Sequence, residues 1–345
     1  MAGLISVSNG RKFRDLLASQ PYVYAPGVGD AYDAGLVARK GFKVVYASGY
    51  SIANKQGVAD TGMLTQTEMV STIGKIVGIL ERGIPVIPNI PVVADADTGY
   101  GGPGNVKRTV REYALARVAA LHIEDQVLPK KCGQVCRKQV IPIEEAVGKY
   151  RAAVAERDIT DPYLFLIARS DAIGAVSGSL EEGIRRGRAY ADAGADGVWL
   201  EFPNNERRII AAFPEAMQKT HRGVVCCVNY SHNKGWRESG ITFEDLANMG
   251  YKFIFSTLST LEPARIAVDG YLEDLLQNGA AAQWRLEEIK KGHPLGSSQQ
   301  ALGLLTHDLN IEELYVPGAA ERGEISQGFG SSIDEHALRV HGKLE

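Results

Sequence analysis

Cysteine is scarce in this chain, long apolar runs are missing, and neither sign of charge dominates. Four cysteines, Cys132, Cys136, Cys226 and Cys227, are too few and too clustered for a disulfide framework, which points to a reducing compartment. Neither pair has the spacing of a structural zinc site, so that reading falls too. No apolar run approaches the ~20 residues of a membrane span. The opening residues carry Arg11, Lys12, Arg14 and Asp15, where a secretion signal keeps an unbroken apolar core. A net charge of −3, from 38 basic and 41 acidic residues, leaves no footprint for nucleic acid or an anionic membrane. The expectation is a cytoplasmic protein whose partner is a small molecule.

What is present is an ordinary globular composition, 45% hydrophobic and 23% charged over 345 residues, enough for one large barrel or two small domains. Short apolar, β-branched runs recur at 22–25, 44–47, 91–94, 120–123, 164–168, 197–200, 224–228 and 252–255. Continuous runs of this kind suit strands buried on both faces of a parallel sheet. Amphipathic helical patterns separate them, at 68–82, 106–118, 143–156, 180–193 and 243–249. Eightfold alternation predicts a (β/α)₈ barrel over residues 1–260. An open doubly wound sheet is the alternative, because periodicity does not show closure. Residues 261–345 are expected to form a helical extension, with one long helix over 262–291 and then a Gly/Ser/Pro-punctuated tail too polar for a core of its own. That tail would pack on the barrel or on a neighbouring subunit.

The residues that follow the strands are informative. They include Ser48-Gly49-Tyr50, Asp95-Ala96-Asp97, Glu124-Asp125-Gln126, Arg169-Ser170-Asp171, Glu201, Asn229-Tyr230-Ser231 and Ser256-Thr257. Barrel enzymes place their catalytic groups at these carboxyl ends. Carboxylates crowded on neighbouring strand ends repel one another unless a cation neutralises them. An all-oxygen set without His or Cys favours a hard cation, Mg²⁺ first. The plainer reading pairs the same carboxylates with Arg169 or Lys130. After the fourth strand comes Lys130-Lys131-Cys132-Gly133-Gln134, a thiol beside two lysines in a polar loop. Positive neighbours favour the thiolate, and glycine lets a substrate approach closely. Cys226 and Cys227 lie within an apolar strand and read as core.

With these motifs in hand, the chain resembles the isocitrate lyase and phosphoenolpyruvate mutase superfamily. The matching stretches are VYASGY (45–50), VADADTGYGG (93–102), HIEDQ (122–126), KKCG (130–133), IARSDA (167–172), WLE (199–201), NYSHNKGW (229–236) and MGYKFIFSTL (249–258). KKCG after EDQ marks the lyase branch, since the mutases and phosphonopyruvate hydrolases lack that cysteine. The resemblance implies a retro-aldol cleavage that releases glyoxylate or pyruvate and leaves an aci-carboxylate dianion. It implies Mg²⁺ (or Mn²⁺) on Asp95, with Asp60, Asp97 and Glu124 around its waters. Ser48 and Gly49 would face the 2-oxo acid carboxylate and Arg169 its oxygen, with Tyr50 toward the second product. Cys132 would be the acid, Lys130 its tuning cation, Tyr46 the candidate base. Gly133, Gln134, Glu201, Asn229, Ser231, Asn233 and Thr257 would surround the second product. The family also implies a homotetramer with a late helix exchanged between subunits.

Three residues depart from the isocitrate lyase pattern. Gln134 stands where histidine is usual, Tyr50 where tryptophan is, and Ser231-His232-Asn233 replaces serine-proline-serine. Glutamine still donates a hydrogen bond but carries no charge. All three changes fall on the side of the non-glyoxylate product, so the substrate is expected to be isocitrate or a related 2-hydroxy di- or tricarboxylate. The alternatives are a 2-methylisocitrate or dimethylmalate type of lyase, oxaloacetate acetylhydrolase, a phosphonate mutase or hydrolase, and a non-catalytic carboxylate binder.

Overall fold

A computed structural model describes residues 8–318, apart from 134, 136, 232, 233 and 298–300. Gln134 and Asn233, both expected around the second product, lie outside the described residues, as do Cys136 and His232. Eight parallel strands close into a barrel in chain order: β1 (Val23–Val28), β2 (Val45–Ala47), β3 (Val92–Asp95), β4 (Ala120–Glu124), β5 (Phe165–Ser170), β6 (Gly197–Leu200), β7 (Val225–Asn229) and β8 (Tyr251–Ser256). Pairing of β1 with β8 closes the ring and decides against the open sheet. The helices are α1 (Asn9–Ser19), α2 (Ala31–Arg39), α3 (Gly49–Lys55), α4 (Gln66–Glu81), α5 (Pro103–Leu115), α6 (Ile143–Thr160), α7 (Leu180–Asp192), α8 (Arg207–Thr220), α9 (Lys234–Ser239), α10 (Phe243–Met249), α11 (Leu261–Asn278), α12 (Ala280–Lys290) and α13 (Leu304–Tyr315).

Several strands run one or two residues past their last apolar side chain, to Asp95, Glu124, Ser170, Asn229 and Ser256. The ladder is made of backbone bonds, so polarity of a side chain does not end it. That extension carries the functional residues on rigid strand rather than on loop. The inward faces form one core, including Val23, Ala25, Tyr46, Val93, Ile167, Trp199, Phe253 and Phe255. Helix α1 plugs its amino-terminal end. Phe13 meets Phe165 and Phe253 edge to face, at 5.3 and 5.2 Å between ring centroids, the geometry aromatic quadrupoles prefer. A second core lies outside the sheet, where Val198, Phe213, Val228 and Ile254 pack beneath α7, α8 and α10. Strand periodicity divides the two adjacent cysteines: Cys227 belongs to the inner core, Cys226 to the outer.

The chain divides into two compact units, residues 1–80 with 89–263, and 81–88 with 264–345. In the second unit the expected single helix is two, broken where Gly279 adopts φ +50°, a conformation that glycine tolerates. The Gly/Ser/Pro-punctuated tail contains α13, which places Leu304, Ile311 and Leu314 at helical spacing. Within that unit Arg82 pairs with Asp308 at 2.6 Å. Ile266, Leu272, Leu276, Trp284 and Ile289 on α11 and α12 are exposed.

Candidate active site

At the carboxyl end of the barrel the strands surround a cavity of about 440 Å³. Tyr46, Ser48, Tyr50, Asp60, Asp95, Cys132, Gly133, Arg169, Glu201, Asn229, Ser231 and Thr257 all line it, drawn from β2, β3 and β5 to β8 or the residues just after them and from the connections after β2 and β4. A larger hollow, about 630 Å³, opens at the opposite end, near Leu17, Met217 and Tyr251. Among the described residues, none lining that hollow has a buried polar atom without a partner. The smaller cavity is where such atoms gather, and we take it as the site.

Register explains the neighbours. Glu124 is the ladder partner of Arg169, and Arg169 of Trp199. Their side chains meet accordingly: Arg169 Nη1 lies 2.9 Å from Glu124 Oε2, and its guanidinium stacks 4.2 Å from the Trp199 ring. Asp95 pairs in register with His122, whose Nε2 sits 2.8 Å from the Tyr46 hydroxyl. Glu124 and Asp125 are adjacent yet have opposite duties. Glu124 faces the site, whereas Asp125 accepts bonds from Ser170, Tyr190 and Arg186 behind the sheet.

Two glycines are required by close approach. At Gly49 an added Cβ would stand 2.6 Å from Asp95 Oδ2, which instead accepts the Gly49 N–H at 3.2 Å. At Gly133 a Cβ would come within 2.6 Å of Arg169 and 2.8 Å of Glu201. The chain after Cys132 therefore lies directly on the guanidinium. Ser48 caps α3, its hydroxyl oxygen accepting from Ser51 N–H at 3.3 Å; this leaves the hydroxyl proton to donate elsewhere.

The acidic cluster is held by side-chain cations. Lys130 pairs with Asp60 and lies 2.6 Å from Asp97, while Arg169 takes Glu124 and Asp171. This is the plainer pairing that the sequence allowed. Among the described residues, no three His, Cys, Asp or Glu side chains are gathered as ligands around one point. Even so, the neutralisation is incomplete. Glu124 Oε1 is buried without a hydrogen-bond partner, and burial pushes the Glu124 carboxyl well above its ordinary pKa. Burial likewise raises Asp97 to about 6 against the pull of Lys130, and Asp97 sits at φ +46°. Asp95 is held below the ordinary range because His122, Lys130 and Arg169 outweigh its burial. An all-oxygen set with an orphaned buried oxygen fits a hard divalent cation.

Sequence reasoning missed His122, Trp199, Val135 and Leu258 as parts of the site, and it singled out Asp171 at a strand end without giving it a role. Val135, Trp199 and Leu258 line the cavity, and the Trp199 indole N–H is buried without an acceptor. For His122 a signal existed, since it lies two residues before Glu124 on the same face of β4.

The profile of the phosphoenolpyruvate phosphomutase family matches residues 13–276. The chain belongs to the phosphoenolpyruvate mutase and isocitrate lyase superfamily. Within it, the chain is 40% identical over 322 residues to the isocitrate lyase of Haloferax volcanii, covering 92% of this chain and 90% of that one. A crystal structure of 2,3-dimethylmalate lyase superposes with a TM-score of 0.76 at 27% identity, over 94% of this chain and 99% of the other. Oxaloacetate acetylhydrolase, bound to 3,3-difluorooxalacetate, superposes with a TM-score of 0.73 at 29% identity, over 93% and 99%. This superfamily member is an enzyme of the lyase type.

Proposed function

We propose that the enzyme is a magnesium-dependent carbon–carbon lyase of the isocitrate lyase type. It would cleave isocitrate, or a related 2-hydroxy di- or tricarboxylate, to glyoxylate or pyruvate and a dicarboxylate such as succinate. The observation that carries this reading is that Cys132 and Gly133 share one cavity with Arg169, Glu201 and Asp95. A proton donor, a fixed cation and an acidic cluster thus border the same substrate-sized space.

Asp95, with Asp60, Asp97 and Glu124 about it, would hold Mg²⁺, with Mn²⁺ as its nearest substitute. Once bound, the ion supplies Lewis-acid polarisation of the substrate oxygen and offsets the buried carboxylates. Ser48 and Gly49 receive the carboxylate beside the hydroxyl carbon, and Tyr50 lines the cavity toward the other fragment. Arg169, fixed by Glu124, Asp171 and the Trp199 ring, stabilises the oxygen that becomes the oxo group. Burial raises the Tyr46 phenol well above its ordinary range. To act as base it would have to pass its own proton to His122 Nε2, whose basicity burial lowers to about 4, as it takes one from the substrate hydroxyl. The carbon–carbon bond then breaks, and its electrons settle into the carboxylate of the departing fragment. Asn229, Ser231 and Thr257, with Glu201 beside them, hold that fragment. Cys132 Sγ–H delivers the proton that quenches its carbon. Gly133, packed against Arg169, keeps water from doing so first.

The same reading includes a homotetramer with late helices exchanged between subunits, supported by the exposed apolar residues of α11 and α12, and a cytoplasmic location. Its test is incubation with Mg²⁺ and isocitrate, 2-methylisocitrate, 2,3-dimethylmalate or oxaloacetate, with an EDTA control. Metal-dependent release of glyoxylate or pyruvate is expected. Likeness to oxaloacetate acetylhydrolase favours one second reading, which acetate and oxalate from oxaloacetate would select. No product from any acid in the panel would sink both.

A further inference from the structure

Lys138 takes no part in the chemistry above, yet it is charged and only 3% exposed. Its Nζ donates to the carbonyl of Gly133, the residue after Cys132, and to Asp171 Oδ1, each at 2.6 Å. Two short charge-assisted bonds replace the water that the ammonium gives up. The two acceptors differ in kind. Asp171 belongs to a fixed strand end: its N–H donates to Asp125 at 3.0 Å, and Asp125 is itself held by Ser170, Tyr190 and Arg186. The same Asp171 carboxylate grips Arg169, with Nε to Oδ2 at 2.9 Å and Nη2 to Oδ1 at 3.2 Å. Gly133, by contrast, sits in a polar connection that reaches the barrel through side chains such as Gln126, which exchanges bonds with the Lys131 backbone at 2.8 and 2.9 Å.

We infer that Lys138 is a positioning residue, a tether that sets Cys132 against Arg169 by joining the Gly133 carbonyl to Asp171. Asp171 is then the common reference point for both groups: directly for Arg169, and through one ammonium for the backbone beside the thiol. The kinetic consequence rests on the lyase reading, whereas the tether itself does not.

The test uses the full-length protein and iodoacetamide. Alkylation of Cys132 is followed by fragment-resolved mass spectrometry, which separates it from Cys136. Rates are compared at their high-pH limit, where the thiol is fully ionised and altered acidity cannot mimic exposure. Lys138→Met is expected to raise that limiting rate about tenfold, and to lower kcat on the accepted acid by about ten- to a hundredfold. Lys138→Arg should recover part of both. If Lys138→Met does not fold, Lys138→Gln, which keeps one neutral donor, takes its place with a smaller shift in the same direction. An unchanged alkylation rate in a folded variant overturns the tether, whatever happens to kcat. Wild-type protein inactive on every acid removes the lyase reading, and the alkylation comparison alone then decides the tether.

Discussion

The two ends of the barrel are built from the same eight strands and satisfy opposite demands. At the amino-terminal end Phe13, Phe165 and Phe253 interlock in an apolar plug. At the carboxyl end Glu124, Trp199 and Asn229 each keep a buried polar atom without a hydrogen-bond partner. A buried polar group left unsatisfied lowers stability, so such a concentration persists where a ligand completes the bonding. The plug contributes folding free energy, and the open end draws on it.

Substitutions can break or sharpen this contrast. The largest effect is expected for Cys132→Ser: turnover lower by about 10³-fold with product binding retained, read by steady-state kinetics beside calorimetric titration of the dicarboxylate product. Unchanged turnover would remove Cys132 as the acid. Next comes removal of divalent metal. EDTA should lower activity by about a hundredfold or more, and Mg²⁺ should restore it while raising the melting temperature. At the other end, Phe13→Ala should cost about 3–5 kcal/mol in urea unfolding while kcat in the folded protein stays within about twofold. A large loss of kcat at permissive temperature would mean that the two ends are not separable.

The smallest effect reverses sign between the two measurements. Glu124→Gln should stabilise the metal-free protein by about 1 kcal/mol while impairing catalysis. The pH dependence follows from the raised carboxyl. A carboxyl whose folded pKa exceeds its unfolded value binds its proton more tightly in the native state. Its contribution is therefore full below the unfolded pKa and declines as pH rises toward the folded one. Urea unfolding in EDTA should show wild-type stability falling as pH rises above the ordinary glutamate range, with a shallower fall in Glu124→Gln. Parallel slopes would show that this carboxyl is not strained.

Much of the barrel was legible because buried parallel strands write themselves as apolar runs, and the groups after those runs mark the productive end. The ion cluster and the cysteine loop were legible as motifs. The partition between Glu124 and Asp125 follows from strand alternation once the strand is known to continue through Glu124. Contacts that join a loop to a distant strand end left no local trace. Lys138 and Asp171 stand 33 positions apart and meet at 2.6 Å, a pairing no periodicity reveals. The pairing of Lys130 with Asp60 and Asp97 was open in sequence, since lysine serves equally as counterion or as neighbour of a thiol. The break at Gly279 was readable from the glycine, but the apolar spacing on either side hid it.

The alternation along β4 also constrains how this chain can change over generations. Adding or losing one residue between Ala120 and Glu124 would turn Asp125 inward and Glu124 outward, exchanging the roles of two carboxylates without altering either. Point substitutions in this strand can be sampled one at a time, but a change of length cannot. Insertions and deletions in descendants should therefore collect in the connections beyond the strands, with the eight strand lengths inherited intact.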